Sequence, residues 1–155
     1  MKSVLFVCLG NICRSPMGEG ILRNKVEQAG LSLEIDSAGT GNWHAEEHPD
    51  NRATQTAKER GIDISKQRAR QIRVEDFDQF DLILVADAQV YRDVKSQART
   101  KEQEKKVEFI MNLAYPDSNM AVPDPYFGGK DGFDKVFDML DKACIGILSR
   151  MKDCE

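Results

Sequence analysis

The chain has 155 residues, 41% of them hydrophobic, which suffices for one domain that buries about two-thirds of its unfolded surface. Lysine and arginine together number 22 against 26 aspartates and glutamates, so the net charge is −4. This balance excludes the basic surface typical of nucleic-acid-binding proteins and of proteins that polybasic segments hold on membranes. We therefore expect one domain over residues 1–155, with no nucleic-acid or membrane partner.

The first predicted elements are a buried strand and a helix. Val4–Val7 is an unbroken run of strand-forming apolar residues, which is typical of a central parallel strand buried on both faces. The run stops at Cys8. Ser15 and the proline after it are an N-cap and first-turn signal for a helix over Pro16–Ala29, which Gly30 ends. The segment therefore predicts strand, loop and helix.

The loop between this strand and helix predicts an anion site. Gly10 and Asn11 favour a tight turn, and a loop over a helix N-terminus points several backbone N–H groups at one place. The field of the helix favours the thiolate of Cys8, and the planar fork of Arg14 fits two oxygens of a phosphoryl group. We interpret the pair as a covalent phosphoryl-transfer site. The alternative is a structural cysteine with an unrelated surface arginine.

Strand and helix signals continue after the first helix. Leu33–Ser37 alternates like a short strand, and Ala38–Gly41 has the composition of a turn. Trp43 follows in an irregular segment, where packing in the core or at its rim and the wall of a substrate cleft are equally good interpretations. Asp50 is a predicted N-cap for a helix over Asn51–Arg60.

The middle of the chain contains a second buried strand. Lys66–Arg73 is a basic run, for which a solvated surface is favoured over a recognition patch. Val74–Phe80 has a short helical pattern. Asp81–Asp87 is an apolar run with polar ends, which predicts another buried parallel strand. Ala88–Ala98 predicts a helix, and Arg99–Lys106 a charged connector.

The last third of the chain completes the alternation. Val107–Leu113 predicts a fourth strand, with helix as the alternative, and the proline-rich and glycine-rich segment Val122–Gly129 predicts a loop. Phe133–Met151 has one apolar helical face. We therefore expect an α/β fold, a single-domain doubly wound four-stranded parallel sheet with helices on both faces, which binds ligands at the carboxyl ends of its strands.

The N-terminus and the cysteines indicate the compartment. The chain enters its first strand almost at once, which leaves no room for an export signal, and no apolar run approaches the ~20 residues of a membrane span. Neither a disulfide framework nor the paired spacings of a zinc site are found among the four cysteines, Cys8, Cys13, Cys144 and Cys154. We expect a cytoplasmic protein with reduced thiols, no metal and no cofactor.

Two motifs together resemble those of the low-molecular-weight protein tyrosine phosphatases. They are Val-Cys-Leu-Gly-Asn-Ile-Cys-Arg-Ser-Pro at residues 7–16 and Asp-Pro-Tyr at residues 124–126, and the likeness covers nearly the whole chain. The resemblance implies hydrolysis of phosphotyrosine and aryl phosphates, with Cys8 as the nucleophile that forms a phosphocysteine and Arg14 as the phosphate clamp. It implies that Asp124 is the general acid and then the base for water. Without the resemblance, Asp124 would be a turn aspartate.

The resemblance also implies residues that bind phosphate or support the loop, namely Leu9, Gly10, Asn11, Ile12, Cys13, Ser15 and Ser37. The hydroxyl of Ser15 is implied to donate a hydrogen bond toward the sulfur of Cys8. Many relatives have a histidine at the position of Gln67, where it joins this network. The amide can fill the hydrogen-bonding role but cannot titrate.

The substrate pocket implied by the resemblance is aromatic. Its walls are Trp43, Tyr126 and Phe127, together with Leu9 and Ile12. Such a slot fits a flat phenyl ring and therefore favours phosphotyrosine over phosphoserine. Phe127 stands where many relatives have a second tyrosine, and simple packing is the alternative for it. The implied partner is a phosphotyrosine-bearing protein, such as a bacterial tyrosine kinase, acted on by a monomer or weak dimer.

Cys13 lies in the loop beside the nucleophile, and the resemblance implies that it traps oxidised Cys8 as a reversible disulfide.

Two other functions are alternatives to the phosphatase. A thiol-dependent arsenate reductase needs two further cysteines for its electron relay, and the sequence has none between Arg14 and Ala143. A phosphate-binding module without catalysis is disfavoured because the nucleophile, the arginine and Asp124 are all present.

Overall fold

The fold is built on a parallel sheet of four strands. The computed structural model describes residues 1–153, and its strands are β1 (Ser3–Cys8), β2 (Glu34–Gly39), β3 (Leu82–Val85) and β4 (Val107–Phe109). Their order across the sheet is β2-β1-β3-β4, and every neighbouring pair is parallel. The predicted doubly wound four-stranded parallel sheet is confirmed.

Helices cover both faces of this sheet. They are α1 (Arg14–Gln28), α2 (Asn51–Glu59), α3 (Asp76–Gln79), α4 (Ala88–Gln97), α5 (Lys101–Lys105) and α6 (Lys130–Asp153), and a 3₁₀ turn follows β4 at Ile110–Leu113. Residues of α1, α2 and α6 form the core on one face, and residues of α3 and α4 form the core on the other. Within residues 1–153, no helix combines the length and apolar character that a membrane crossing requires.

The side chains of β1 explain why both faces of the sheet are apolar. Val4 and Phe6 point into the core beneath α1 and α6, whereas Leu5 and Val7 point into the core beneath α3 and α4. Successive side chains of a strand project to opposite faces, so a strand covered on both sides needs a continuous apolar run. A Cβ at Gly18 of α1 would come within 2.8 Å of the Phe6 ring, so the helix packs closely on β1.

The order of the strands brings the carboxyl ends of β1 and β3 side by side. The chain passes from β1 to β2 on one side and then crosses to β3 on the other, so its winding reverses between β1 and β3. Open parallel sheets form a crevice for ligands at such a reversal. Cys8 ends β1, and Asp87 follows shortly after β3, so both residues lie at this crevice.

Helix α1 begins earlier than the sequence predicts. It starts at Arg14 rather than Pro16, and Cys13 occupies the N-cap position without a side-chain cap hydrogen bond. The prediction that Ser15 caps the helix is wrong, because its hydroxyl contacts the sulfur of Cys8 instead. The Ser15 side chain therefore contacts Cys8 and does not cap the helix.

Other boundaries also differ from the sequence prediction. Strand β2 continues through Gly39, where a turn is predicted, because it pairs in register with Cys8 of β1. The predicted connector Arg99–Lys106 contains α5, which Thr100 caps. The fourth strand is shorter than the predicted Val107–Leu113, because its last four residues form the 3₁₀ turn.

The prediction that Lys66–Arg73 is a solvated surface is wrong for Arg70. Its guanidinium donates to both oxygens of Asp76, at 2.9 and 3.0 Å, and Nε donates to Asp36 at 3.2 Å. Asp76 is fully buried, and a buried carboxylate needs such a partner to offset its desolvation. The backbone N–H of Arg70 also donates to Asn11 at 3.0 Å, so this residue ties the basic run to the loop after β1.

Candidate active site

Cys8 lies in the crevice at the end of β1. The residue is 2% exposed, and its Sγ is 2.9 Å from Oγ of Ser15. Nδ2 of Asn11 donates to that hydroxyl oxygen at 2.7 Å, so the hydroxyl proton is available to the sulfur. The carbonyl of Ala38, the competing acceptor, is farther from the hydroxyl at 3.4 Å. A hydroxyl that donates to the sulfur stabilises negative charge there.

Asn11 joins the loop to the residues behind it. Its backbone has a φ of 59°, in the left-handed region that asparagine tolerates better than most residues. Nδ2 also donates to Oγ of Ser37 at 3.0 Å, and Oδ1 accepts from the N–H of Arg70 at 3.0 Å. Ser37 donates in turn to Glu19 at 2.7 Å. The predicted supporting residues Asn11, Ser15 and Ser37 therefore belong to one hydrogen-bond network behind the loop.

Glu19 ends this network, and the sequence analysis did not identify it. Burial raises the pKa of Glu19, and the hydrogen bonds from Ser37 and Arg23 oppose that rise. Gln67 lies outside the network, because its Nε2 donates to the carbonyl of Pro16 at 3.0 Å. The amide supports the first turn of α1 and makes no hydrogen bond with the groups around the sulfur.

The guanidinium of Arg14 is buried and fixed along one edge. Its Nη1 donates to Oδ2 of Asp87 at 2.7 Å and to the carbonyl of Val122 at 2.9 Å, while Nη2 lies 3.9 Å from Oδ2 of Asp124. Burial would lower the pKa of Arg14, but the charges of Cys8 and Asp87 raise it above its ordinary value. The remaining N–H groups can bind an anion while Asp87 holds the direction of the fork.

Asp87 and Val122 are site residues that the sequence analysis missed. Asp87 is the N-cap of α4, since its Oδ1 accepts from the N–H of Val90 at 2.9 Å. Burial alone would raise the pKa of Asp87, but the N–H of Val90 and the guanidinium of Arg14 hold it below its ordinary value. A polar residue at the carboxyl end of a buried strand was a usable signal for Asp87. Val122 contributes a backbone carbonyl, which side-chain patterns do not reveal.

Asp124 lies on the loop that leads into α6. The loop is anchored where the N–H of Val122 donates to the carbonyl of Ala86 at 2.7 Å. Oδ1 of Asp124 accepts from the N–H of Tyr126 at 3.0 Å, in the manner of an Asx turn. The side chain of Asp124 is 39% exposed. It therefore lies at the mouth of the crevice, in contact with both the pocket and solvent.

The crevice is a pocket of about 210 Å³ with an aromatic rim. The predicted site residues that line it are Cys8, Leu9, Gly10, Ile12, Cys13, Arg14, Trp43, Asp124, Tyr126 and Phe127. Trp43 is 68% exposed and Phe127 is 91% exposed, so neither side chain packs in the core. The rings of Tyr126 and Phe127 meet edge to face, with centroids 5.0 Å apart.

His44 also lines this pocket, although the sequence analysis did not select it. Its Cδ2 lies against the loop after β1, where a Cβ at Gly10 would come within 3.1 Å. Its Nδ1 is 3.1 Å from Oε2 of Glu47. Its position directly after Trp43, a predicted wall residue, was the sequence feature that could have identified it.

Cys13 faces the same pocket as Cys8. Burial raises the pKa of the Cys13 thiol, and the carboxylate of Asp50 adds to the rise. The described cysteines, which include Cys144, are free thiols. Cys144 is fully buried on the apolar face of α6, as predicted, and Cys154 lies outside the described residues.

Known proteins resemble this chain in sequence and in structure. It matches the family model described as low molecular weight phosphotyrosine protein phosphatase over residues 3–154. It is 39% identical over 154 residues to the low molecular weight protein-tyrosine-phosphatase of Streptomyces coelicolor, which covers 97% of this chain and 93% of that protein.

Two solved structures extend the likeness to the fold. A protein tyrosine phosphatase from Entamoeba histolytica superposes with a TM-score of 0.92 at 31% identity, over 99% of this chain and 98% of that chain. A drosophila arginine phosphatase superposes with a TM-score of 0.90 at 31% identity, over 98% of both chains. The chain therefore belongs to the low molecular weight phosphotyrosine protein phosphatase family and is a hydrolase.

Proposed function

We propose that this protein hydrolyses phosphotyrosine and other aryl phosphates through a phosphocysteine intermediate. The observation that carries the proposal is that Cys8, Arg14 and Asp124 line the same pocket. These residues supply a nucleophile, a clamp for the phosphoryl oxygens and a proton donor for the leaving group. Residues 1–155 act as one phosphatase domain.

In the first step the thiolate of Cys8 attacks the phosphorus from the side opposite the aryl oxygen. The S–P bond forms while the P–O bond breaks, and the electron pair leaves with the aryl oxygen. Asp124 donates its proton to that oxygen, so the product leaves as a neutral phenol. Arg14 and the backbone N–H groups of Leu9–Cys13 hold the phosphoryl oxygens, where fixed donors contribute most to the transition state.

In the second step water attacks the phosphocysteine. Asp124, now a carboxylate, accepts a proton from the water as the P–O bond forms and the S–P bond breaks. The electron pair returns to the sulfur of Cys8, which Ser15 stabilises from 2.9 Å. Asn11 holds that hydroxyl in place, and Ser37 accepts a second hydrogen bond from the same amide nitrogen of Asn11. Inorganic phosphate leaves, and the enzyme returns to its starting state.

The rim of the pocket selects the substrate. Trp43, Tyr126 and Phe127 form walls suited to a flat ring, whereas the phosphate of phosphoserine has too short a stem to reach past them to the loop. The partner is a protein phosphorylated on tyrosine, such as a bacterial tyrosine kinase. A monomer or weak dimer suffices because one chain lines the pocket. Catalysis needs Cys8 as a reduced thiolate, and the cytoplasm keeps thiols reduced, so we place the enzyme there.

Arsenate and phosphoarginine are the alternative substrates. Arsenate reduction needs a cysteine relay, and the sequence has no cysteine between Cys13 and Cys144. The likeness to an arginine phosphatase makes phosphoarginine a second alternative substrate. A pocket that binds phosphoarginine needs a carboxylate to pair with the guanidinium of the substrate. The described lining of the pocket has one carboxylate, Asp124, and it lies 3.9 Å from Arg14. We therefore favour an aryl substrate.

Phosphate release from matched peptides tests this selectivity. One peptide sequence is prepared with phosphotyrosine, phosphoserine or phosphoarginine, and kcat/KM is measured for each. We expect the phosphotyrosine peptide to be preferred by at least ~10²-fold, because the pocket binds the ring as well as the phosphate. A chelator should leave the rate unchanged, since each step uses side chains of the chain itself. Faster hydrolysis of the phosphoarginine or phosphoserine peptide would contradict the proposed substrate.

Treatment with hydrogen peroxide tests the predicted role of Cys13. The peroxide oxidises Cys8 to a sulfenic acid, and the thiol of Cys13 then displaces water to form a disulfide. We expect wild-type activity to be lost and then restored by a thiol reductant. Cys13→Ser should instead lose activity irreversibly, as the sulfenic acid is oxidised further. Mass spectrometry that finds wild-type Cys8 only as sulfinic or sulfonic acid would rule out the disulfide.

A further inference from the structure

Arg52 is held rigidly at the start of α2. Its Nε and Nη2 donate to the two oxygens of Asp50 at 3.1 and 3.0 Å, and its backbone N–H donates to Oδ1 of Asp50 at 2.8 Å. A bidentate pair of this kind fixes the plane of the guanidinium. The side chain of Asp50 is only 12% exposed, so the anchor of Arg52 is itself set in the fold.

The same guanidinium contacts the loop that carries Asp124. We call residues 123–129 the acid loop. The guanidinium carbon of Arg52 lies 5.2 Å from the ring centre of Tyr126 and 4.8 Å from that of Phe133, and Nη1 donates to the carbonyl of Gly128 at 3.4 Å. The contacts with Tyr126 and Gly128 hold the acid loop itself, whereas Arg14 binds the carbonyl of Val122 just before it.

Besides Arg52, one other polar contact in the described structure joins the acid loop to a separate element, namely the 3.9 Å ion pair between Arg14 and Asp124. Among residues 1–153, its other hydrogen bonds are local: the N–H of Tyr126 to Asp124, that of Gly128 to Pro125, and that of Gly132 to Gly129. Arg52 therefore supplies the hydrogen bond that joins this loop to a separate element of the described structure.

The same pair of residues also contacts the loop after β1. The backbone N–H of Asp50 donates to the carbonyl of Ile12 at 2.8 Å. Asp50 and Arg52 thus form a continuous link from the loop that follows Cys8 to the acid loop. Such a link fixes the distance between a nucleophile and a proton donor on separate segments.

We propose that Arg52 is a positioning residue that holds the acid loop where Asp124 can protonate the leaving oxygen. The inference rests on the proposed function, because it assigns Arg52 an effect through Asp124. Arg52 is not among the residues that line the pocket. Its loss should therefore impair protonation of the leaving group more than attack by the sulfur.

Two aryl phosphates that differ in leaving group separate these effects. Phenyl phosphate needs a proton donor, whereas p-nitrophenyl phosphate releases a stabilised phenolate and needs it much less. We expect Arg52→Ala to lower kcat/KM for phenyl phosphate roughly tenfold and for p-nitrophenyl phosphate by no more than about twofold, a part of the general-acid contribution. Arg52→Lys, which keeps the charge but not the planar fork, should recover part of the loss.

Arg68→Ala is the matched control, because Arg68 is exposed and its hydrogen bonds go to the nearby carbonyls of Ser65 and Gln67. It should leave both rates unchanged. In an Asp124→Ala background, Arg52→Ala should cause no further loss on phenyl phosphate, since the donor that it positions is gone. Thermal unfolding of each variant identifies any general loss of stability.

The outcomes distinguish this inference from the proposed function. Equal losses on the two substrates in Arg52→Ala, or a full additional loss in the Asp124→Ala background, would overturn the positioning role and leave the phosphatase mechanism intact. If Asp124→Ala alone shows no dependence on the leaving group, the proposed mechanism itself is wrong.

Discussion

Replacing Cys8 with serine is expected to abolish hydrolysis of aryl phosphates while the fold is kept. The serine hydroxyl is nearly the size of the thiol and can still contact Ser15, but it does not ionise at neutral pH and cannot form the phosphocysteine. We expect kcat to fall by at least ~10⁴-fold, as when a nucleophile is removed from other covalent enzymes. Release of inorganic phosphate from p-nitrophenyl phosphate measures the loss.

Cys13→Ser is the matched control for this variant, because Cys13 is also buried and lines the same pocket. Without oxidant, it should retain most of the wild-type activity. Equal thermal unfolding midpoints for the two variants would show that lost activity is chemical rather than structural. Substantial turnover by Cys8→Ser would contradict a covalent mechanism at this cysteine.

Removing the carboxyl of Asp124 should slow the enzyme in proportion to the need of the leaving group for a proton. A positioned general acid contributes about 10²–10⁴-fold, so we expect Asp124→Ala to lose activity in this range on phenyl phosphate. The loss of kcat/KM on p-nitrophenyl phosphate should be much smaller. The second step should also slow, because the same carboxylate accepts the proton of the attacking water.

Asp124→Asn separates proton transfer from loop geometry. The asparagine oxygen can still accept the hydrogen bond from the N–H of Tyr126, which measures 3.0 Å in the wild type, but the amide has no proton of suitable acidity to donate. We expect Asp124→Asn to match Asp124→Ala. An Asp124→Asn enzyme with near wild-type activity on phenyl phosphate would show that the residue acts through the loop conformation alone.

The parts of the fold that could be predicted depend on local patterns. The apolar run Val4–Val7 predicts a strand buried on both faces because adjacent residues point to opposite sides, and the structure has such a strand. Asp50 predicts the start of α2 because its side chain can accept from the backbone two residues later, and it does so at 2.8 Å. In both cases the physical cause lies within a few residues of the effect.

The parts that could not be predicted depend on contacts between distant segments. Arg14 meets Asp87 and Val122, which are 73 and 108 residues away in sequence, because the sheet order places the ends of β1 and β3 together. Arg70 lies in a basic run of solvated appearance, yet it neutralises the buried Asp76. No local pattern identifies which arginine of such a run will pair with a buried carboxylate.

Ser15 shows how a functional contact overrides a local signal. A serine followed by proline is a strong N-cap signal, but here α1 starts at Arg14 and the hydroxyl faces Cys8. The helix loses a side-chain cap, and the sulfur gains a hydrogen-bond partner. Strong local signals that fail in this way are expected at functional sites.

Detection of a phosphorylated enzyme tests the central proposal most directly. The wild-type protein is mixed with p-nitrophenyl phosphate, quenched in denaturant during turnover, digested and analysed by mass spectrometry, with Cys8→Ser treated in parallel. We expect a phosphoryl group on the sulfur of Cys8 in the wild type and none in the variant. A wild-type enzyme that releases phosphate while Cys8 stays unmodified, or that carries the phosphoryl group on another residue, would contradict the phosphocysteine mechanism.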